Sequence, residues 1–410
     1  MLIASQPQGP SLSNQKKLVE EFYALDRSRD PHPEREGEIL MELSEMPALA
    51  ASAAKKWRKD LVKIWKSKGP KLARSGTNYM FEAEEKGKYL VGGRTKNPTG
   101  LAICMHGGGV GSGSAESAQG AYQGAISSMG WLGIYPEVIE KTERGWTDSG
   151  TEEFVLELVD RAVRSYGVDP DKVYFIGHSM GGYGSWTLGA HHADRVAALA
   201  PSAGAPTPYL GSTGAPTDIV EGVIPNLRNV PMVIFQSADD PQVPPDVNRL
   251  AVQKLEEAKK RWGGYPYEYW EVDGRGHGAP PGGFAAQLKK IAGFTRDSLP
   301  DKVTWQPEVQ WKRQFYWLWW ETPVKHQIVE AQADWNGRAV HIKTEGSTAG
   351  LHVLLHSDLV DLDQEFKVTV NGKETWTGIP QQRLDVMLDT SRHGDPRMTF
   401  EARVPVSGTP

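Results

Sequence analysis

The sequence predicts an α/β fold, in which a mostly parallel sheet is flanked by helices, with further segments before and after it. Three observations predict this arrangement. Short apolar runs alternate with amphipathic stretches over residues 76–300, a pattern typical of a parallel sheet that is covered on both faces. Helical spacing dominates residues 1–75, whereas residues 301–410 contain short, aromatic, strand-like runs. We therefore expect an N-terminal helical extension, an α/β domain and a C-terminal β-sandwich-like domain with these boundaries.

The overall composition is that of a globular protein and excludes several classes of partner. The 410 residues include 24% charged and 39% hydrophobic side chains, and the net charge is −5. Binding to nucleic acid requires clustered Lys and Arg, which the sequence lacks. A membrane span needs roughly 18 consecutive apolar residues, and no stretch approaches that length. We expect neither nucleic acid nor a membrane as a partner, and the sequence leaves the oligomeric state open.

One cysteine, Cys104, lies within an apolar run at residues 101–105. A single thiol forms no internal disulfide, and in this setting we expect a buried strand residue rather than a reactive group. The first ten residues lack the charged and apolar regions of a signal peptide, and we expect them to be disordered. A secreted or periplasmic location would require that a signal had been removed, so the compartment stays open.

The predicted helices and strands follow from periodicity. Residues 17–68 have helical spacing, interrupted by Pro31 and Pro33, and residues 79–81 and 88–91 flank a charged turn that predicts an antiparallel hairpin. The strands of the core are expected at residues 100–105, 130–135, 173–176, 196–199, 232–235 and 267–272, and two helices at 152–166 and 248–262.

The last hundred residues have a different character. Strands are expected at residues 315–320, 327–333, 339–344, 352–356, 366–370, 384–388 and 398–404. Asn371-Gly372 between two such runs indicates a type I′ hairpin turn. Seven of the 14 tryptophans lie after residue 300. They could form a core of their own or bind carbohydrate, and packing is the commoner use of such residues.

The most specific motif is G-x-S-x-G at residues 177–181, between a predicted strand and a helix-forming stretch. A nucleophilic serine needs such a strained turn, which projects its Oγ above the sheet, and glycines allow the neighbouring backbone to approach. The following helix points its free N–H groups towards developing negative charge. We predict that Ser179 is a nucleophile. The alternative is a glycine-rich helix entry with an idle serine.

A serine hydroxyl reacts only when a base removes its proton. His277 lies in a glycine-rich loop after the last predicted core strand, where the base is expected when the chain order is serine, acid, histidine. The acid should then follow the strand at residues 232–235, where Asp239 and Asp240 compete. His178 is expected to pack, and no role is assigned to the histidines at 191 and 192.

Stabilisation of an oxyanion requires backbone N–H groups about 3 Å from the forming negative oxygen. The N–H of Met180, next after the nucleophile, is one candidate. Gly108, and as second choice Gly109, are candidates for the other, because they follow the predicted strand at 100–105 and carry no obstructing side chain. A phosphate-binding loop is the competing interpretation, but no Lys-Ser or Lys-Thr follows these glycines.

These motifs together resemble α/β-hydrolases of the prolyl-oligopeptidase-like, dienelactone-hydrolase-like and polyhydroxybutyrate-depolymerase-like esterase families. The resemblance covers about residues 95–295 and includes R-G-W-T at 144–147 and D-P-D-K-V-Y at 169–174. It favours Asp240 as the acid, because D-P-Q-V-P at 240–244 matches a turn that many such hydrolases have there. It implies an α/β-hydrolase fold and hydrolysis of an ester, less often a peptide, without a cofactor.

The chain departs from these families in two respects. Prolyl oligopeptidases have a β-propeller before the hydrolase domain, whereas here about 95 largely helical residues precede the resemblance. Dienelactone hydrolases use a cysteine nucleophile, whereas this chain has Ser179. The segments V-T-W at 303–305 and F-Y-W-L at 315–318 resemble the tails of bacterial members with a C-terminal β-domain. We therefore expect ester hydrolysis, with peptide hydrolysis or a non-catalytic scaffold as alternatives.

Four residues are candidates for binding a small or polymeric ester substrate. Trp146, Tyr122 and Tyr183 lie near loops expected to face the nucleophile, and Arg275 lies two residues before the base. Aromatic walls would suit an aromatic, feruloyl or polyester substrate. Packing in the core or at the rim is the alternative for each aromatic side chain.

Overall fold

The computed structural model describes residues 12–27, 33–73 and 76–407. The described residues form two compact units. One unit falls within Met1–Pro70, Trp311–Pro323 and Val329–Pro410, and the other comprises Lys71–Gln310 and Val324–Ile328. The disorder predicted for the first ten residues lies outside the described residues. No helix in the described ranges combines the length and the apolar character needed to cross a bilayer.

Three helices of the first unit come first in the chain: α1 (Leu12–Ala24), α2 (Glu34–Ser44) and α3 (Ala51–Lys68). Each buries one stripe of side chains at helical spacing, such as Leu61, Ile64 and Trp65 on α3, and leaves its polar face exposed. The helical periodicity predicted for residues 17–68 is confirmed.

The second unit is built on one eight-stranded sheet. Its strands and helices are β1 (Asn78–Phe81), β2 (Lys86–Gly93), β3 (Leu101–Met105), α4 (Ala115–Ser128), β4 (Leu132–Pro136), α5 (Thr151–Tyr166), β5 (Val173–His178), α6 (Met180–His191), β6 (Ala198–Ser202), β7 (Pro208–Leu210), β8 (Pro216–Ile219), β9 (Met232–Ser237), α7 (Asp246–Trp262), β10 (Tyr267–Val272), α8 (Gly283–Ile291) and β11 (Lys302–Trp305). The strand order of the large sheet is β1-β2-β4-β3-β5-β6-β9-β10.

The pairing within this sheet is mostly parallel, as predicted. Strands β1 and β2 pair antiparallel, and so do β2 and β4, whereas every pair from β4 to β10 is parallel. Alternate side chains point to opposite faces. Cys104 and Ile176 belong to a buried cluster with residues of α4 and α8. On the other face, α6 lies so close that a Cβ at Gly189 would be 2.4 Å from the Leu199 side chain.

The remaining elements of the first unit are β12 (Gln314–Phe315), β13 (Leu318–Trp320), β14 (Val329–Asp334), β15 (Ala339–Lys343), β16 (Leu351–Leu355), β17 (Phe366–Val370), β18 (Lys373–Gly378), α9 (Leu384–Thr390) and β19 (Ala402–Pro405). One sheet has the order β12-β13-β16-β19, and another contains the consecutive strands β14-β15-β17-β18. The predicted turn between β17 and β18 is confirmed, since Asn371 and Gly372 have φ of 50° and 80°.

Most tryptophans of this unit pack inside it. Trp317, Trp319 and Trp320 are each at most 4% exposed, and Trp317 meets Trp335 edge to face with 5.5 Å between ring centroids. Because Trp317 follows β12 and Trp335 follows β14, this contact joins the two sheets. These side chains are therefore used as core residues rather than as an exposed platform for sugar rings.

The helices α1–α3 pack with the β-rich segments in one compact unit, which differs from the separate extension expected over 1–75. The Trp65 indole N–H donates to the Arg392 carbonyl at 2.8 Å, and Arg58 pairs with Asp358 at 2.7 Å. The apolar stripes of the helices show which face is buried but not what covers it. For that reason periodicity could not reveal this association.

Of the two strands predicted last in the chain, the first is wrong and the second is shorter and shifted. Residues 384–388 belong to the helix α9, and the strand expected at 398–404 is limited to β19. All seven residues of α9 are buried. A short run that is buried on every side lacks the periodicity that separates a helix from a strand.

Candidate active site

Ser179 occupies the sharp turn between β5 and α6. Its backbone has φ 58° and ψ −123°, a positive φ that is costly for any residue with a side chain and that is retained at functional sites. A Cβ at Gly177 would lie 2.1 Å from the Gly181 carbonyl oxygen, and a Cβ at Gly181 would lie 2.1 Å from the Met105 carbonyl oxygen. The two glycines of the motif are thus required by close backbone approach.

Asp240 and His277 lie side by side although 37 positions separate them in the sequence. Asp240 follows β9, and His277 lies in the loop after β10, which is the parallel neighbour of β9. The Asp240 Oδ2 is 2.8 Å from the Nδ1 of His277. Its other oxygen accepts hydrogen bonds from the backbone N–H groups of Gln242 and Val243, at 2.9 and 3.0 Å. The carboxylate is buried and so oriented that it holds the histidine ring by Nδ1.

Asp239, the competing acid, holds the backbone of the same loop instead. Its Oδ1 accepts hydrogen bonds from the N–H groups of Arg275 and Gly276 at 3.1 and 3.0 Å, and from the Ser237 hydroxyl at 2.5 Å. The bond from Ser237 and those from the two N–H groups lower the pKa of Asp239. The backbone partners of Asp239 lie 36 and 37 positions further along the chain, so this acid links its own turn to the loop of His277.

The glycine-rich turn after β3 lies against the serine. A Cβ at Gly107 would be 3.2 Å from the Cβ of Ser179. Gly108 has φ 141°, and a Cβ there would be 2.8 Å from the Ser112 carbonyl oxygen, so this position favours glycine. In the described part of the chain, neither the N–H of Gly108 nor that of Met180 has a hydrogen-bond acceptor.

Gly109, the second choice for the oxyanion hole, differs from Gly108. Its N–H donates to the Ser112 hydroxyl at 2.9 Å. A donor engaged within its own turn is not available to a substrate oxygen. The N–H groups of Gly108 and Met180 are therefore the better pair.

A cleft of about 490 Å³ opens beside Ser179, within the usual range for small-molecule sites. Both Gly108 and Met180 line it, and most other lining side chains are small or apolar. The wall is formed by Glu143, Arg144, Tyr183, Gly204, Ala205, Pro206, Thr207, Pro208, Gln242, Val243, Pro244 and Val247.

Of the four predicted substrate-binding residues, all of which are described, Tyr183 lines this cleft. Trp146 is fully buried and donates its indole N–H to the His106 carbonyl at 3.2 Å. Tyr122 is 3% exposed and packs against Phe284 in the core. Arg275 is exposed, and its Nε donates to the Ala279 carbonyl at 3.1 Å. For Trp146 and Tyr122 the alternative of core packing is thus the observed one.

Sequence reasoning missed one segment that lines the cleft. Thr207 and Pro208 line it and lead into the β7–β8 hairpin, which is inserted between β6 and β9. The segment has no helical or alternating pattern, although its Pro and Gly content indicates turns. Glu143 and Arg144 were missed as well, because charged residues in a loop are usually only solvated.

Two histidines at the end of α6, to which no role was assigned, form a buried hydrogen-bonded cluster with Glu152. Glu152 lies 3.0 Å from the Nδ1 of His191 and 2.8 Å from the Nε2 of His192. Burial alone would raise the pKa of Glu152, but the two histidines outweigh it and lower the pKa to about 2. The cluster joins the first turn of α5 to the end of the helix that follows Ser179. No group of three or more His, Cys, Asp or Glu in the described ranges is arranged to hold a metal ion.

Comparisons with known proteins found a curated relative and several solved structures that are similar to part of the chain. No family model matches the chain. A putative esterase, NocK, from Nocardia uniformis subsp. tsuyamanensis is 32% identical over 115 residues, which cover 25% of this chain and 32% of that protein. The chain thus matches about a third of the length of this curated relative.

Several solved structures are also similar over about half of the chain. Thermogutta terrifontis esterase 2 is 17% identical, with 51% of this chain and 87% of that chain covered and a TM-score of 0.40. Est1E from Butyrivibrio proteoclasticus is 17% identical, with 46% and 85% covered and a TM-score of 0.34. The fold assignment itself rests on the strand order, on the sharp turn that carries Ser179 between β5 and α6, and on the pairing of Asp240 with His277. By these features the chain is an α/β hydrolase in fold.

Proposed function

We propose that this chain is a serine hydrolase that cleaves carboxylic esters through an acyl-enzyme on Ser179. The observation that carries the proposal is the pairing of Asp240 Oδ2 with His277 Nδ1 at 2.8 Å. The loop of His277 lies against the strained serine turn, since the His277 carbonyl oxygen is 3.2 Å from Nε2 of His178, the residue before Ser179. A buried carboxylate on Nδ1 leaves the other ring nitrogen free to act as a base. The similarity to a putative esterase supports ester rather than amide substrates.

The proposed reaction has two halves. His277 takes the proton of the Ser179 hydroxyl as its oxygen attacks the ester carbonyl, and Asp240 stabilises the resulting imidazolium. The N–H groups of Gly108 and Met180 bind the negative oxygen of the tetrahedral intermediate. When the carbon–alkoxide bond breaks, His277 returns the proton to the leaving alcohol. Water, deprotonated by His277, then attacks the carbonyl of the acyl-enzyme. As the bond between the acyl carbon and the Ser179 Oγ breaks, His277 returns this proton to Oγ, which releases the acid and the free serine.

The cleft favours a compact acyl group over a large aromatic one. The aromatic walls that suggested feruloyl or aromatic esters are reduced to Tyr183, whose hydroxyl bonds to that of Thr147 at 2.8 Å. Many of the other lining residues are short, such as Ala205, Pro206 and Pro244. We therefore propose short-chain aliphatic esters as the best substrates.

A substrate panel tests the proposal. The full chain and its Ser179→Ala variant are assayed with p-nitrophenyl acetate and butyrate, a methyl ferulate, an aliphatic polyester and peptidyl p-nitroanilides. We expect the short-chain esters to give the highest kcat/KM, and Ser179→Ala to lower it at least about 10³-fold. Faster cleavage of the peptidyl amides would favour the serine peptidase alternative. Equal rates for both proteins would refute a Ser179 nucleophile.

A further inference from the structure

His178 is the last residue of β5 and directly precedes the nucleophile. Its ring lies between Ser202 on β6 and the loop that carries the proposed base. Its Nδ1 is 3.1 Å from the hydroxyl oxygen of Ser202, the residue paired with it on β6. Its Nε2 is 3.2 Å from the backbone carbonyl oxygen of His277. The two histidine rings are 4.9 Å apart at 45°, and Phe284 meets the His178 ring edge to face at 5.5 Å. The ring is therefore held on both nitrogens and packed on two sides.

The chemistry of the two partners fixes which nitrogen carries the proton. A carbonyl oxygen only accepts, so the contact with His277 requires an N–H at Nε2. A neutral ring then has an unprotonated Nδ1, which accepts the hydrogen of the Ser202 hydroxyl. Burial, and next the charge of His277, lower the pKa of His178 to about 4. The ring is accordingly neutral near pH 7, and a single tautomer satisfies both contacts.

We propose that His178 is a positioning residue that holds the loop of His277 through the hydrogen bond to its backbone carbonyl, with Ser202 selecting the required tautomer. The inference rests on the proposed function of His277. Asp239 holds this loop at residues 275 and 276, and Asp240 holds the His277 ring. Among the described residues, His178 is the donor found for the carbonyl of His277 itself.

The position of this bond explains why it affects catalysis rather than folding alone. The His277 ring is attached to the backbone that His178 holds, and the ring must reach the serine hydroxyl within hydrogen-bond distance. A displacement of about 1 Å in a reacting group costs about 100-fold in rate. Loss of the bond should therefore lower kcat, whereas substrate binding in the cleft, which His178 does not line, should change little.

Steady-state kinetics of four variants and one control variant test the proposal, with p-nitrophenyl butyrate as substrate. His178→Phe keeps a ring against Phe284 but removes the donor, and His178→Gln restores a donor. We expect His178→Phe to lower kcat about 10- to 100-fold with KM within about threefold, and His178→Gln to recover most of the loss. Ser202→Ala should lower kcat about threefold alone and have no further effect in the His178→Phe background. His341→Gln, at an exposed histidine of the other unit, is the control for loss of a histidine.

The outcomes separate this inference from the proposed function. If the wild-type chain hydrolyses no ester, or if Ser179→Ala leaves the hydrolysis unchanged, the proposed function is refuted and this inference falls with it. A Ser179-dependent esterase in which His178→Phe keeps the wild-type kcat overturns the positioning role alone. So does an equal loss in His178→Phe and His178→Gln, or a Ser202→Ala effect that is the same in both backgrounds. If His178→Phe does not fold, an unchanged kcat in Ser202→Ala overturns it.

Discussion

The adjacent acids Asp239 and Asp240 provide a matched pair of substitutions that tests the proposed triad of Ser179, Asp240 and His277. In the wild type, the N–H groups of Gln242 and Val243 donate to Asp240 Oδ1 at 2.9 and 3.0 Å. In Asp240→Asn, the amide oxygen can still accept both of these hydrogen bonds. The amide nitrogen of the variant therefore faces His277 Nδ1, in the place of the wild-type Oδ2, which lies 2.8 Å from Nδ1. A donor there forces the proton onto the other ring nitrogen, which can no longer act as a base.

The expected loss follows from this change of tautomer. Fixing the wrong tautomer lowers kcat about 10³- to 10⁴-fold, which corresponds to about 4–5 kcal/mol of transition-state stabilisation. Asp239→Asn retains an oxygen that accepts from the N–H groups of Arg275 and Gly276, so its kcat should fall less than about tenfold. Both variants should unfold thermally within a few degrees of the wild type, because each keeps its backbone hydrogen bonds.

The assay is steady-state hydrolysis of p-nitrophenyl butyrate at neutral pH, with residual activity of Ser179→Ala as the baseline. The ratio of the two losses is the informative quantity, since both acids lie in one turn and both substitutions replace a carboxylate with an amide of the same size. If Asp240→Asn keeps more than a tenth of the wild-type kcat, or if Asp239→Asn is impaired equally, the assignment of Asp240 is wrong.

Three further predictions concern other parts of the molecule. Gly108→Ala should lower kcat about 100-fold by disturbing an oxyanion donor, whereas Gly109→Ala, with free space around its Cα, should stay within about threefold; similar losses in the two would contradict the choice of Gly108. The pKa of Glu152 is lowered from 4.5 in the unfolded chain to about 2 in the folded protein. Between these pH values the folded protein therefore binds fewer protons than the unfolded chain. The stability that Glu152 contributes to the fold is thus complete above pH about 4.5 and is lost as the pH falls towards 2. Denaturant unfolding between pH 2.5 and 6 should therefore show a steeper loss in the wild type than in Glu152→Gln, and equal slopes would exclude this role for Glu152. Deletion of residues 301–410 should give aggregated protein, because it uncovers Trp65 and the rest of the apolar stripe on α3, and a monodisperse, active truncation in size-exclusion chromatography would contradict this.

The parts of the fold and site that could be predicted are those fixed by local chemistry. The turn around Ser179 needs glycines at 177 and 181 wherever it occurs, so a short motif identifies it. The parallel sheet could be predicted because buried strands have continuous apolar runs between helices. That an acid after β9 would meet His277 could be predicted because both follow neighbouring parallel strands, whereas the choice of Asp240 over Asp239 came from the resemblance of its turn.

What could not be predicted depends on contacts between distant segments. Trp146 and Tyr183 both belong to loops or helices near the serine, yet one is buried and the other lines the cleft. Nothing in their local sequence distinguishes them, because burial depends on what packs above them. The same holds for His178, whose partners lie 24 and 99 positions away, and for the helices α1–α3, whose apolar stripes do not specify a partner.

Covalent labelling with a fluorophosphonate, read by intact mass and peptide mapping, tests the central claim most directly. Our account predicts one adduct per chain, located on Ser179, absent in Ser179→Ala and formed much more slowly in His277→Gln. An adduct on another residue, or equal labelling of the wild-type and Ser179→Ala proteins, would contradict it.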